Sequence, residues 1–316
     1  MTTMNNSGAW DRLRAVPRSL REQAMRMVRI VNVEPGGKPP FPPLRRPPVA
    51  RAQVGSLAMH NAHDDLLPPY LWGYFTAHHP TRDYLPLWLM ERDGMTWMSL
   101  TPKELESCAP SLALAQGDVL IMGLGLGALA YSVRRKPGVR SVTVIDNDPE
   151  VIRINAMVGS TEGCTVICAD ALDWRPAARQ HFDTALIDIW HTFDDLAIPQ
   201  DMRTIHAHVG ADCYGVWSVE LTFAQWVAMQ YRDGGLERQP RPGSLFERFA
   251  HEALGVPLFH TGAAQLQGRT YEQWCIQAAV NSIAEGQYLN AIAKAVGTLA
   301  FLFAPEQGSA QAMAER

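Results

Sequence analysis

Apolar positions recur along this chain in two rhythms, and the change of rhythm marks its organisation. In "YLPLWLMERDGMTWMSL" (84–100) two apolar runs flank Asp93-Gly94, a pair that favours a tight turn, so a β-hairpin is predicted. "TPKELESCAPSLALA" (101–115) opens with a Thr cap, Pro at the first helical position and Glu104 at the third, the signature of a helix start. From residue 118 strand and helix patterns alternate. Strand 118–123 precedes helix 126–136, and strand 141–148 precedes helix 149–158, with Asp148 as its cap. Strand 164–171 leads into a short connection, strand 183–190 into a helix near 198–208, and strand 213–221 into helix 222–232. Such alternation predicts an α/β, doubly wound, Rossmann-like parallel sheet, with an N-terminal β-hairpin extension and a C-terminal helical addition.

The flanks read differently. Residues 19–31 carry a short amphipathic pattern, and the proline-dense 34–49 predicts an extended strap or linker. Residues 233–270, rich in Gly, Pro and Arg, predict a long loop or lid, and 271–303 a helical segment whose apolar end, 291–304, is a candidate homodimer seam. The expected divisions are a basic, Pro-rich leader (1–50), the hairpin and helix extension (51–115), a Rossmann-like domain (116–235) and the lid with C-terminal helices (236–316).

Charge sharpens this division. Residues 1–51 hold ten Arg/Lys against three Asp/Glu, a net +7, so the remainder of the 316-residue chain carries −11. A basic leader can touch nucleic acid, anionic lipid or the acidic body itself. With so acidic a body, nucleic acid suits this chain as an acceptor only where the basic leader supplies the contact. Five scattered cysteines (Cys108, Cys164, Cys168, Cys213, Cys275) form no CxxC pair, which fits buried thiols in a reducing compartment rather than disulfides or zinc. Four histidines (His60, His63, His78, His79) match no metal-ligand spacing, so no metal is expected. The sequence contains no secretory or membrane-spanning pattern, and a cytoplasmic location is the expectation.

In a doubly wound sheet the ligand lies beyond the carboxyl ends of the strands. Here those ends read Gly123, Asp146, Asp170 and Asp188, one strand–helix unit apart. The turn "MGLGLGA" places Gly123, Gly125 and Gly127 where a ligand can approach backbone. Asp146 can accept hydrogen bonds from two ribose hydroxyls, with Asn147 beside it. Asp170 can face an adenine amino group, and the Ala171 backbone N–H a ring nitrogen. Asp188 is the first candidate for positioning or deprotonating an acceptor, and His191, with an ordinary pKa near 6.5, is the second. Trp190 offers an aromatic face to a cation. Asp188, Asp194 and Asp195 together would make an acidic mouth that suits a cationic acceptor, although Asp194 and Asp195 read better as solvated loop or helix-cap acids.

The ordered motifs "MGLGLGA", "VIDNDPEVI", "CADALDW" and "ALIDIW" resemble those of class I S-adenosylmethionine-dependent methyltransferases over residues 117–221. The hairpin ending in "DG", followed by a short helix with an acid and then the nucleotide domain, is similar to the spermidine synthase layout. The resemblance implies S-adenosylmethionine as cofactor and methyl transfer to a small or medium acceptor by in-line displacement. Two departures stand out. No acid precedes the first glycine, where the sequence reads Ile121-Met122, and Asp118 opens the strand. The loop also lacks the Asp of the aminopropyltransferase Gly-Gly-Asp-Gly turn, and "DIWHTFDD" replaces the polyamine-binding motif after strand four. Aminopropyl transfer, a catalytically inactive nucleotide-fold scaffold acting through the leader, and an NAD-dependent oxidoreductase stand as alternatives.

Overall fold

A computed structural model describes residues 51–62, 87–191, 195–233 and 244–258, together with 274, 275 and 278. The leader helix and proline strap, His63, His78, His79, Asp194, and nearly all of the C-terminal segment, with its dimer seam, lie outside the described residues.

Two sheets organise the described chain. The first is antiparallel, β1 (Arg51–Val54), β2 (Leu57–Ala62), β3 (Leu87–Arg92) and β4 (Met95–Leu100), paired in chain order. The β3–β4 hairpin turns where expected, with both Asp93 (φ +53°) and Gly94 (φ +75°) left-handed, as a type I′ turn requires. The β1–β2 hairpin has no counterpart in the sequence reading, because its short strands alternate too briefly to stand out. It places His60 on a strand, with Nε2 3.0 Å from a Glu91 carboxylate oxygen.

The second sheet is parallel, in the order β7 (Thr165–Cys168), β6 (Val139–Asp146), β5 (Gly117–Met122), β8 (Phe182–Ile187), β9 (Ala211–Val216). Its central strands are apolar on both faces: Val119 to Met122 and Ala185 to Ile187 are buried, as a sheet covered on both sides demands. The crossovers carry α1 (Pro102–Leu114) before β5, α2 (Ala128–Arg134) between β5 and β6, and α3 (Pro149–Met157) between β6 and β7. α4 (Ile198–His208) joins β8 to β9, and α5 (Val219–Arg232) follows β9. The chain leaves β5 toward β6 and β7, then returns to place β8 on the other flank of β5. The strand order therefore reverses between β5 and β8, and a crevice opens at their carboxyl ends.

Local chemistry explains most boundaries. Thr101 Oγ1 accepts the Glu104 amide at the start of α1, and Asp148 Oδ1 accepts the Glu150 and Val151 amides at the start of α3. Lys136 Nζ donates to the Ala113 and Ala115 carbonyls at 2.6 Å each, closing the far end of α1. The antiparallel sheet is tied to α3 by Arg92, which ion-pairs with Asp148.

Two expectations are corrected. Residues 233–270 are not simply a loop: α6 (Ser244–Arg248) and a π-helix (Phe249–Leu254) lie within them. Leu245, Phe246, Phe249 and Leu254 are buried there, and Phe249 packs on Phe223 and Trp226 of α5, an apolar run that the surrounding Gly, Pro and Arg residues conceal in composition. The thiols are not uniformly buried either. Cys108 and Cys275 are, but Cys168, at the exposed end of edge strand β7, is open to solvent. Among the described residues no helix is long and apolar enough to cross a membrane.

Candidate functional site

The turn after β5 is built by close approach. The Gly123 amide donates to Ile145 O at 2.9 Å, and the Asp188 amide donates to Met122 O at 2.8 Å. A Cβ at Gly123 would lie 1.7 Å from Asp188 O, and one at Gly127 would lie 2.1 Å from Asn155 Oδ1, so both positions exclude a side chain. Gly125 differs. Its φ is +52°, and the nearest atom to an added Cβ is Met98 Sδ at 3.4 Å. Two glycines thus let the backbone pack against itself, while the middle one leaves room for something else.

That room belongs to a cavity of about 590 Å³ at the switch point, within the size range of small-molecule sites. Gly123, Gly125, Gly127, Asp146, Asn147, Asp170, Ala171, Asp188, Trp190 and His191 all line it. The structure therefore brings these ten residues, chosen from the sequence, to one cavity.

Asp146 ends β6 and organises the turn. Its Oδ2 accepts the Leu124 amide and its Oδ1 the Asp148 amide, both at 2.8 Å. Burial raises its pKa, and the two amides hold it back. Each carboxylate oxygen keeps a further lone pair, so the pair can still receive hydroxyl donors. Asp170 lies two residues beyond β7, where its Oδ1 accepts the Leu172 amide at 2.8 Å and its carbonyl the Trp174 amide. This turn presents the carboxylate and the buried Ala171 at the same rim.

Asp188 follows β8 directly, and burial pushes its carboxyl up to about 7. Trp190 is buried, and its indole Nε1 donates to Asp201 Oδ2, on the first turn of α4, at 2.9 Å. His191 is exposed at the mouth, edge-on to Trp97 with ring centroids 5.0 Å apart. The Arg92 guanidinium also lies over the Trp97 ring, 4.9 Å from its centroid. Asp195 does not line the cavity, so it adds nothing to an acidic mouth; its Oδ1 accepts the Ala197 amide ahead of α4, as the loop or helix-cap reading of that residue expects.

Three contributors escaped the sequence reading. Glu104 appears there only as a helix-start residue. In the structure its side chain lines the cavity, and Trp217 Nε1 donates to Glu104 Oε2 at 3.1 Å. Burial, then repulsion from Asp188, pushes the Glu104 carboxyl up to about 8, against the opposing pull of the Trp217 hydrogen bond and of Lys103. Cys108, one turn further along α1, also lines the cavity, and its thiol pKa is driven well up by burial and by Asp188, Glu104 and Glu220. The third is Asn155, fully buried on α3. Its Nδ2 donates to Gly125 O at 2.8 Å and to Val151 O at 3.0 Å, fixing the middle of the glycine turn from below. An amide amid Val151, Ile154 and Val158, on the apolar face of a predicted helix, was the available signal.

The residues present fit an adenosyl donor: an open middle glycine, a carboxylate at the end of the second strand of the unit, and an acceptor at the next strand end. No family model matches the chain. Polyamine aminopropyltransferase 1 of Streptomyces coelicolor is 36% identical over 89 residues, which is 25% of this chain and 17% of that enzyme. The chain therefore matches under a fifth of its curated relative's length. Among solved structures, a probable spermidine synthase from Corynebacterium glutamicum is 14% identical, with 52% of this chain and 61% of that one covered and a TM-score of 0.32. The N-methyltransferase NodS from Bradyrhizobium japonicum, in complex with S-adenosyl-L-homocysteine, is 18% identical over 34% of this chain and 57% of that one, with a TM-score of 0.27. These superpositions are loose, and the assignment of fold stands on strand order and motif placement. By those criteria the described chain has a Rossmann-like α/β fold, a parallel five-stranded sheet preceded by an antiparallel four-stranded one.

Proposed function

We propose that this protein is an S-adenosylmethionine-dependent transferase, a methyltransferase acting on a small or medium acceptor. One observation carries the reading: the glycine turn, Asp146 and Asp170 on the donor side share a single cavity with Asp188, Trp190 and His191 on the acceptor side. The bound donor supplies an electrophilic sulfonium carbon. Gly125 admits the ligand against backbone, Asp146 receives the ribose hydroxyls, and Asp170 with Ala171 receives the adenine edge. Trp190, fixed through Asp201, presents a rigid face at the reacting end. Asp188, with its carboxyl at about 7, can accept the acceptor's proton near neutral pH. Holding both reactants in one cavity supplies the alignment that in-line displacement needs.

Calorimetry with S-adenosylhomocysteine tests the donor half. The wild type is expected to bind saturably, with Asp146→Asn at least 30-fold weaker. No binding by a folded wild type at millimolar ligand overturns the reading.

Aminopropyl transfer is a second reading, favoured by a specific observation. Glu104 and Asp188 line the cavity, while Arg92, its one lysine or arginine among the described residues, is already engaged by Asp148. Such a wall suits a donor tail that carries an ammonium without a carboxylate. Incubation with S-adenosylmethionine and an amine pool, against decarboxylated donor and putrescine, separates the two by product mass.

A further inference from the structure

The glycine turn of this chain contains no acid, and neither do the two residues before it. Asp118 does not make good the loss. It lies at the opposite end of β5, where Arg140 and Ser141 hold it. An anionic partner for a donor's amino group must therefore come from another element of the cavity.

Six carboxylates line the cavity, and four have other work. In the proposed donor site Asp146 takes the ribose hydroxyls and Asp170 the adenine edge, while Asp148 caps α3 and pairs with Arg92, and Asp201 holds the Trp190 indole. Asp188 stands at the reacting end. The remaining one is Glu104, brought to the cavity by α1. The Trp217 indole takes one of its oxygens and fixes the side chain from behind, leaving the other carboxylate oxygen to a ligand.

Resting on the proposed donor reading, we infer that Glu104 is the residue that binds the ammonium group of the adenosyl donor's tail, supplying from α1 the acid that the glycine turn lacks. Its surroundings suit that role. From α1, Lys103 and Cys108 approach it, from the end of β8 Asp188, and from α5 Glu220 together with Trp217 at its edge. Burial and then Asp188 oppose charge on Glu104, so the carboxyl holds its proton at neutral pH. An entering ammonium reverses this balance, so the proton leaves as the ion pair forms. Affinity for an ammonium-bearing ligand should then rise between pH 6 and about 8.5.

The test uses three nucleosides on the full chain: S-adenosylhomocysteine, decarboxylated S-adenosylmethionine and 5′-methylthioadenosine, which has no amino group. Glu104→Gln keeps the shape and an oxygen for Trp217. It is expected to weaken the first two ligands tenfold or more, to leave methylthioadenosine within twofold, and to abolish the proton release seen by calorimetry in buffers of different ionisation enthalpy. Equal losses for all three, or none, overturn the assignment while leaving the donor reading intact. A wild type that binds none of the three overturns the donor reading itself, and this assignment falls with it.

Discussion

Removing the Glu104 charge should make the protein more stable in mild alkali, although a buried ionisable group is lost. The carboxyl moves from its ordinary 4.5 to about 8 on folding. Between those values the folded protein keeps the proton and the unfolded chain does not, so stability falls as pH rises through that window. At about 1.4 kcal/mol per pH unit the full displacement would correspond to about 5 kcal/mol. Part of it is repulsion from Asp188, which the two groups share as a pair, and Lys103 pulls the other way, so about 2–3 kcal/mol is the expected size. Glu104→Gln carries no titrating proton. Its urea midpoint should match the wild type at pH 5 and exceed it at pH 8.5 by an amount equal to about 2–3 kcal/mol, with the slope of the transition unchanged. Asp188 titrates in both proteins, and the repulsion it shares with Glu104 in the wild type is part of the expected difference. Parallel pH profiles for the two proteins, or a variant less stable than wild type at pH 8.5, would refute the reasoning.

The glycine turn gives a paired prediction. Gly123→Ala drives a Cβ into Asp188 O at φ +91° and should cost about 3 kcal/mol or more, whereas Gly125→Ala meets only Met98 Sδ and should cost about 1 kcal/mol while still abolishing nucleoside binding. Thermal denaturation and calorimetry on both variants check the contrast, which fails if Gly125→Ala binds like wild type. Asn155→Ala leaves two carbonyls without their amide donor and should lower stability by about 1–2 kcal/mol while weakening nucleoside binding several-fold, read by the same two measurements. Asp188→Asn should keep nucleoside affinity within threefold but lower turnover about 10²-fold and remove the rise in rate around pH 7; an unchanged pH–rate profile counts against proton acceptance by Asp188.

Sequence alone specified the parallel sheet and the edge of it that matters. Strand and helix periods differ, and a chain that alternates them, with a chain-long count of apolar residues sufficient to cover both faces, has few topologies open to it. The strand-end rule then followed without coordinates, because side chains just beyond β5, β6, β7 and β8 must face the same crevice. That is why Gly123, Asp146, Asp170 and Asp188 could be named, and why all ten residues chosen for contact line one cavity. Where the outcome depended on packing between distant segments, the one-dimensional pattern was silent. Glu104 lies 84 residues from Asp188, and whether a helix-start carboxylate also faces a cavity depends on the angle at which α1 crosses the sheet and on Trp217 behind it. Asn155 was visible as a polar residue on an apolar face, but its partner, the Gly125 carbonyl, is set by the tilt of α3 beneath the turn. The helices hidden in 233–270 failed to register because their apolar spacing is short and gains its stability from Phe223 and Trp226, residues of another element. Local periodicity encodes what each segment becomes, while the pKa values, the committed carboxylates and the room left at Gly125 arise only when segments far apart in the chain exclude water from one another.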